Sequence, residues 1–161
     1  MDGASRSRSR VEERLRHLEE EFGGVVVTQT TFEVGPQRYQ RAIESSWEGQ
    51  LDVRVVVRDN DGAVLLREGG GEWLVPRGRT RPDERLREAV RRIVRETAGI
   101  ECAVTGAETA NIHGIRNGDD ETADTVYRLS VVFTAELAEA DPPADDSVRW
   151  GSETDAIGEL G

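Results

Sequence analysis

The chain has 161 residues, with 32 acidic side chains against 21 basic ones and a formal net charge of −11. That length supports one well-packed core, and the single cysteine, Cys102, excludes an intramolecular disulfide or a thiolate-rich metal site. The acidic balance argues against broad binding to a nucleic-acid backbone, and no apolar run approaches the ~20 residues that cross a bilayer.

Residues 1–10 are polar and without periodicity (Ser5, Arg6, Ser7, Arg8, Ser9, Arg10), which predicts a flexible arm lacking the apolar centre of a signal peptide. A cytoplasmic location is expected. From Val11 the pattern changes: Val11, Leu15, Leu18 and Phe22 recur at helical spacing until Gly23 and Gly24 stop the run. This amphipathic stripe suits packing on the domain or on a second subunit, so a homodimer is one expectation. His17 lies beside the stripe and reads as a surface residue.

Residues 25–34 are rich in β-branched side chains and predict a strand, after which Pro36 opens a helix bearing Tyr39, Ile43 and Trp47 on one side. Residues 51–57 form another strand. The turn residues Asp59, Asn60, Asp61 and Gly62 then lead to a hairpin partner over residues 63–67. The triplet Gly69, Gly70, Gly71 reads as a mobile connector, and without a following Lys-Ser/Thr it is no phosphate-binding P-loop. Residues 73–76 predict a short strand and residues 78–82 a loop. Residues 83–97 suit a helix, with Pro82 and Asp83 favouring its start and Gly99 its end.

Beyond that helix, residues 102–108, 110–115, 125–136 and 147–150 read as strands, and residues 155–160 as a short final helix. The polar stretch 117–124 separates two of them and is dense in carboxylates. Strands outnumber helices in an interleaved order, which predicts an α+β fold, a mixed central β-sheet with helices on its faces. The expected organisation is an arm, an amphipathic helix and a leading strand and helix over residues 1–50, packed on a domain formed by residues 51–161.

The segment 78–100 carries Gly78, Glu84, Arg92, Val94, Glu96, Gly99 and Ile100 at a spacing that resembles the Nudix box, Gly-x5-Glu-x7-Arg-Glu-U-x-Glu-Glu-x-Gly-U, where U is bulky and aliphatic. The likeness extends over roughly residues 51–160. Residues 60–66 resemble the hairpin preceding the box, residues 73–78 resemble its Trp-x-Leu-Pro-Gly-Gly lead, and residues 148–150 resemble a late strand of these domains. The resemblance implies the Nudix α/β/α sandwich and a small phosphorylated ligand with a nucleoside diphosphate moiety. It also implies Mg2+ or Mn2+ in an active hydrolase, and Gly78, Glu84, Arg92 and Gly99 as structural residues of the box. Arg77 in place of a glycine echoes the Pro-Lys-Gly form of some dinucleoside polyphosphate hydrolases.

Two positions depart from the pattern: Ile93 and Thr97 stand where the family carries glutamates that bind magnesium or activate water. At ~100° per residue Leu86, Ala89, Val90, Ile93 and Thr97 share one face, so the helix is apolar where carboxylates are expected. Glu84 and Glu88 fall on the other side with Arg91 and Arg95, an arrangement that solvated ion pairs explain. Glu96 alone keeps a matching metal-ligand position, and it is the candidate catalytic residue together with Glu121 of the acidic loop. Arg77, Arg79 and Arg81 are candidate phosphate contacts before a helix N-terminus, with Trp73, Arg116 and His113 as further candidate ligand contacts. The reading is ligand recognition with hydrolysis weakened or lost. The alternatives are an active Mg-dependent pyrophosphohydrolase using Glu96 and a loop acid, and a non-catalytic scaffold or dimerisation domain. An acidic chain whose basic residues are all arginine also resembles proteins of salt-adapted cytoplasms.

Overall fold

The computed structural model describes residues 3–47, 51–138 and 146–152. In chain order the elements are α1 (Gly3–Phe22), β1 (Val26–Val34), α2 (Pro36–Trp47), β2 (Asp52–Arg58), β3 (Val64–Gly69), β4 (Glu72–Leu74), β5 (Arg77–Arg79), α3 (Leu86–Ala98), β6 (Cys102–Asn117), β7 (Val126–Leu137) and β8 (Val148–Gly151). This is a mixed α+β fold with a mixed sheet, as the interleaved pattern predicts. The helix expected at residues 155–160 lies outside the described residues. The chain divides into two compact units, residues 1–51 with 109–131, and residues 52–108 with 132–161.

In the first unit, β1 runs parallel to the second half of β6 in a register from Val26↔Thr109 to Val34↔Asn117. One small core joins Val34 of β1, Tyr39 and Ala42 of α2, Ile115 of β6 and Val126 of β7. The Tyr39 hydroxyl donates to the Asp124 carbonyl, which satisfies a polar tip that would otherwise be stranded beside that core. The expected flexible arm is instead helical from Gly3. Ser7 is 1% exposed and its Oγ accepts the Tyr127 N–H at 2.9 Å, a contact across 120 residues of sequence that local composition does not encode.

In the second unit the strands follow the order β6-β7-β2-β3-β4, with β5 added on β2 and β8 on β3. Val56, Val64, Leu66 and Val75 form a buried cluster against which Trp73 and Val132 pack. The glycine triplet is no mobile connector. Gly69 pairs with Glu72, and Gly70 (φ 61°) and Gly71 (φ 83°) make the two-residue turn between β3 and β4, where positive φ at both positions suits glycine. The two strands expected over residues 102–115 are one continuous strand, β6.

Candidate functional site

The site is built on β5, the turn after it and α3, all in the second unit. Residues 78 and 79, expected in a loop, instead form β5 with Arg77, antiparallel to β2 with Gly78 opposite Val53. Thr80 is buried and the chain then turns: the Arg81 carbonyl accepts the Glu84 N–H at 3.1 Å, with Pro82 and Asp83 (φ 62°) at the corners. Proline followed by a positive-φ residue is the pattern of a type II turn, so the residues expected to start the helix serve the turn instead. Helix α3 begins at Leu86, after Arg85 in extended conformation, and ends at Gly99, whose left-handed backbone (φ 69°) lets its N–H reach the Arg95 carbonyl.

Arg92, on the second turn of α3, ties this turn to the helix. Its Nε donates to Glu84 Oε2 at 2.8 Å and its Nη2 to Glu84 Oε1 at 3.0 Å, a two-pronged pair with side chains 15% and 13% exposed. Its Nη2 also reaches the Arg79 carbonyl at 2.7 Å, and Glu84 Oε1 accepts the Arg81 N–H at 2.9 Å. The Arg92 hydrogen bonds hold the Glu84 carboxyl below the usual carboxylate range despite the opposing effect of burial. The same pairing raises Arg92 above its ordinary value. Glu84 is therefore no solvated partner of Arg91 or Arg95: it precedes the helix and is held by Arg92, while Arg95 pairs with Glu101 at 3.2 Å.

Glu96 follows Arg92 by one turn. Its Oε1 accepts from Arg92 Nη1 at 2.9 Å and its Oε2 from Arg81 Nη2 at 3.2 Å, so a guanidinium engages each carboxylate oxygen. Glu96 and Arg81 are 54% and 61% exposed, which leaves that pair open to solvent. Ile93 is 2% exposed and belongs to the buried face Leu86, Ala89, Val90, Ile93 and Val94. It sits directly on β5, since a Cβ added to Gly78 would lie 3.0 Å from Ile93 Cγ1 and 3.2 Å from its Cδ1. Thr97 is half-buried, and its carbonyl accepts a hydrogen bond from Arg67 Nη1.

Magnesium prefers a near-octahedral shell of hard oxygen ligands. Around Glu96 the described residues supply its own carboxylate, bound to two guanidinium groups, and that of Glu84, held by the same Arg92, beside a buried isoleucine, and this arginine-paired donor set does not fit that shell. Among the described residues no group of three or more His, Cys, Asp or Glu side chains is placed to hold a metal ion.

The other candidate residues are distributed as follows. Arg79 pairs with Asp52 at 3.1 Å, and Arg77 is exposed on the same strand, opposite Arg54 in register. Trp73 is half-buried on β4, and the Arg149 guanidinium lies 4.2 Å from the centre of its ring, a cation–π contact. Arg149 did not stand out in the sequence, because an exposed arginine on a short strand carries no signal until its partner is known. Arg116 and Glu121 are exposed in the first unit, at the end of β6 and in the loop that follows. That loop is internally tied: Asp120 Oδ1 accepts from the Thr122 N–H at 3.0 Å and Oγ1 at 2.6 Å, which lowers the Asp120 pKa. His113 Nε2 lies 3.0 Å from Ser130 Oγ, with the Phe32 ring edge-on to the imidazole.

The family model of the NUDIX domain matches residues 48–160. Among solved structures, a NUDIX hydrolase from Nitrosomonas europaea is similar with a TM-score of 0.50 at 19% identity, covering 67% of this chain and 60% of that one. A MutT protein from Methanosarcina mazei Go1 matches with a TM-score of 0.44 at 24% identity, covering 63% of this chain and 75% of that one. The Ap4A hydrolase of C. elegans matches with a TM-score of 0.45 at 18% identity, covering 63% and 79%. No curated protein sequence matches the chain.

Proposed function

Because the chain belongs to the Nudix family, we propose that it is a Nudix domain that recognises a pyrophosphate-containing, nucleoside diphosphate-linked ligand, with metal-dependent hydrolysis weakened or lost. The observation that carries this reading is the state of α3. Ile93 is packed onto Gly78, and the one carboxylate at a matching position, Glu96, has each oxygen held by an arginine. Losing a positioned general base costs on the order of 10²–10⁴ in rate, which is the scale of the expected deficit.

Ligand recognition draws on Arg81 first. Its guanidinium is exposed and its partner is an exposed carboxylate, so a phosphate oxygen competes with Glu96 for it at little desolvation cost. Arg77 presents a second exposed guanidinium on β5. An active hydrolase is the second reading, supported by the 54% exposure of Glu96, which leaves that carboxylate accessible once Arg81 moves away.

The test is phosphate release from nucleoside triphosphates, nucleotide sugars and dinucleoside polyphosphates in molar KCl with Mg2+ or Mn2+. It is run beside an Ile93→Glu/Thr97→Glu variant confirmed as folded by circular dichroism. No turnover by the unaltered protein, with activity gained by the variant, is the expected result. Turnover by the unaltered protein that disappears in Glu96→Gln would overturn the proposal in favour of a working hydrolase. Ligand-induced shifts in melting temperature, measured on the same panel, separate a binding domain from one that binds none of these compounds.

A further inference from the structure

We infer that β1 is an interaction surface for a second copy of this chain, joined strand to strand about a two-fold axis at Thr30. Among the described residues β1 ends the strand order and pairs only with β6, on its inner side. Residues 26–33 are all exposed, and among the described residues the exposed large apolar side chains are Val26 (61%), Val27 (41%) and Phe32 (38%), all on this strand.

Natural edge strands are protected by shortness, proline, bulges or charge, because their open backbone groups template pairing with another chain. β1 has none of these protections. It is nine residues long, contains no proline and carries one charged side chain, Glu33, in a chain that is 33% charged. It is also firmly seated. All nine residues are in register with β6, and Gly114 of β6 approaches so closely that a Cβ there would lie 3.0 Å from Thr31 Oγ1. The edge is thus a fixed, nearly neutral, partly apolar ribbon.

Charge points to the occupant. A chain of net charge −11 repels its own copies on average, and β1, which carries one charged side chain, is a surface where that repulsion is small. A nucleic-acid backbone finds no cations on it. The strand is also self-complementary about its midpoint, Thr30, as an isologous two-fold contact requires. In antiparallel pairing Thr30 faces Thr30 of the second copy, Phe32 faces Thr28, Val34 faces Val26, Gln29 faces Thr31, and Glu33 faces Val27 rather than itself. β-branched and aromatic pairs of this kind stabilise antiparallel strands, and no like charges oppose one another. One strand pair buries less than the ~800 Å² per partner of a standard interface, so the dimer is expected to dissociate on dilution.

Sedimentation velocity over a range of concentrations in ~0.1 M KCl, where a Debye length of about 10 Å leaves contacting charges effective, reads the association directly. The unaltered protein is expected to shift from monomer to dimer, and Thr30→Arg, which sets two cations face to face, to weaken the dimer by about tenfold or more. The second arm is cross-linking in a Cys102→Ser background. Thr30→Cys places two thiols across the axis at a Cα separation of about 4.5–5.5 Å, within disulfide reach. Glu33→Cys places them roughly 20 Å apart. Rapid oxidation to a covalent dimer at position 30 and not at 33 supports the pairing. A monomer at every concentration, or a dimer that ignores Thr30→Arg and cross-links equally at both positions, overturns it.

Discussion

Replacing Arg92 by alanine removes the hydrogen bonds to Glu84, to Glu96 and to the Arg79 carbonyl in one step. It leaves the Glu84 carboxylate, 13% exposed, without its counter-charge. Breaking a fully buried ion pair costs ~3–5 kcal/mol and breaking an exposed one ~0–1 kcal/mol, so the exposure of this pair places the expected loss at ~2–4 kcal/mol. For a chain of this length that is a fall of about 5–15 °C in melting temperature. Urea unfolding is the assay, with Arg95→Ala as reference because the Arg95–Glu101 pair is 56% and 43% exposed. A double-mutant cycle with Glu84→Gln isolates the pair, and a coupling energy of ~1.5–3 kcal/mol is expected. If Arg92→Ala costs no more than Arg95→Ala, or the coupling is near zero, the turn is not held by this pair and the reasoning fails. The same pair sets a pH signature. Arg92 depresses the Glu84 pKa, so its stabilisation is complete above the unfolded value of ~4.3 and is lost as pH falls through the folded value. In Glu84→Gln the acid-side decline in stability is expected to flatten.

Three further outcomes are expected. Gly78→Ala drives a methyl to about 3 Å from Ile93 and is expected to destabilise by ~1–3 kcal/mol, and its cost is expected to shrink when it is measured in an Ile93→Ala background; equal stability of Gly78→Ala and the parent in thermal unfolding would contradict the packing. Burial raises the Cys102 pKa to about 11, so the thiol is expected to react with a disulfide reagent at pH 8 only when urea unfolds the chain, and stoichiometric labelling of the native protein within minutes would refute its burial. With a net charge of −11, the melting temperature is expected to rise as KCl is increased from millimolar to molar, and a flat profile would show that self-repulsion is not a significant cost.

What the sequence conveyed about this fold depended on how local the signal was. The apolar stripe Leu86, Ala89, Val90, Ile93 and the stop at Gly99 mark α3 by residue spacing alone, and the structure buries that stripe and puts Gly99 in the left-handed region. The start of α3 is ambiguous in the sequence because Pro82 and Asp83 suit a helix N-terminus and a type II turn alike; the choice depends on Glu84 folding back to Arg81 and Arg92, a contact made only once the helix exists. The N-terminal arm is illegible in the sequence for the same reason at longer range, since Ser7 finds its partner at Tyr127. The exposure of β1 was hidden because a run of β-branched residues looks the same on an open edge as in a half-buried sheet.

Within the site, the spacing of Arg92 and Glu84 was legible but their relation was not, because a sequence shows neither depth nor the path of the turn. This matters for function. With Asp52, which pairs with Arg79, the segment 77–84 and the side chains of Arg92 and Glu96 bring together four arginines and four carboxylates, a local balance in a chain that is strongly negative overall. Glu84 is neutralised by Arg92, which leaves Glu96 shared between Arg92 and Arg81. A divalent cation approaching Glu96 meets two guanidinium groups at close range, whereas an anionic phosphate approaching Arg81 meets one carboxylate that Arg92 still holds. At the Arg81–Glu96 pair this disfavours a cation more than an anion. That is the order of preference expected of a domain that binds a phosphorylated ligand without assembling a metal centre around it.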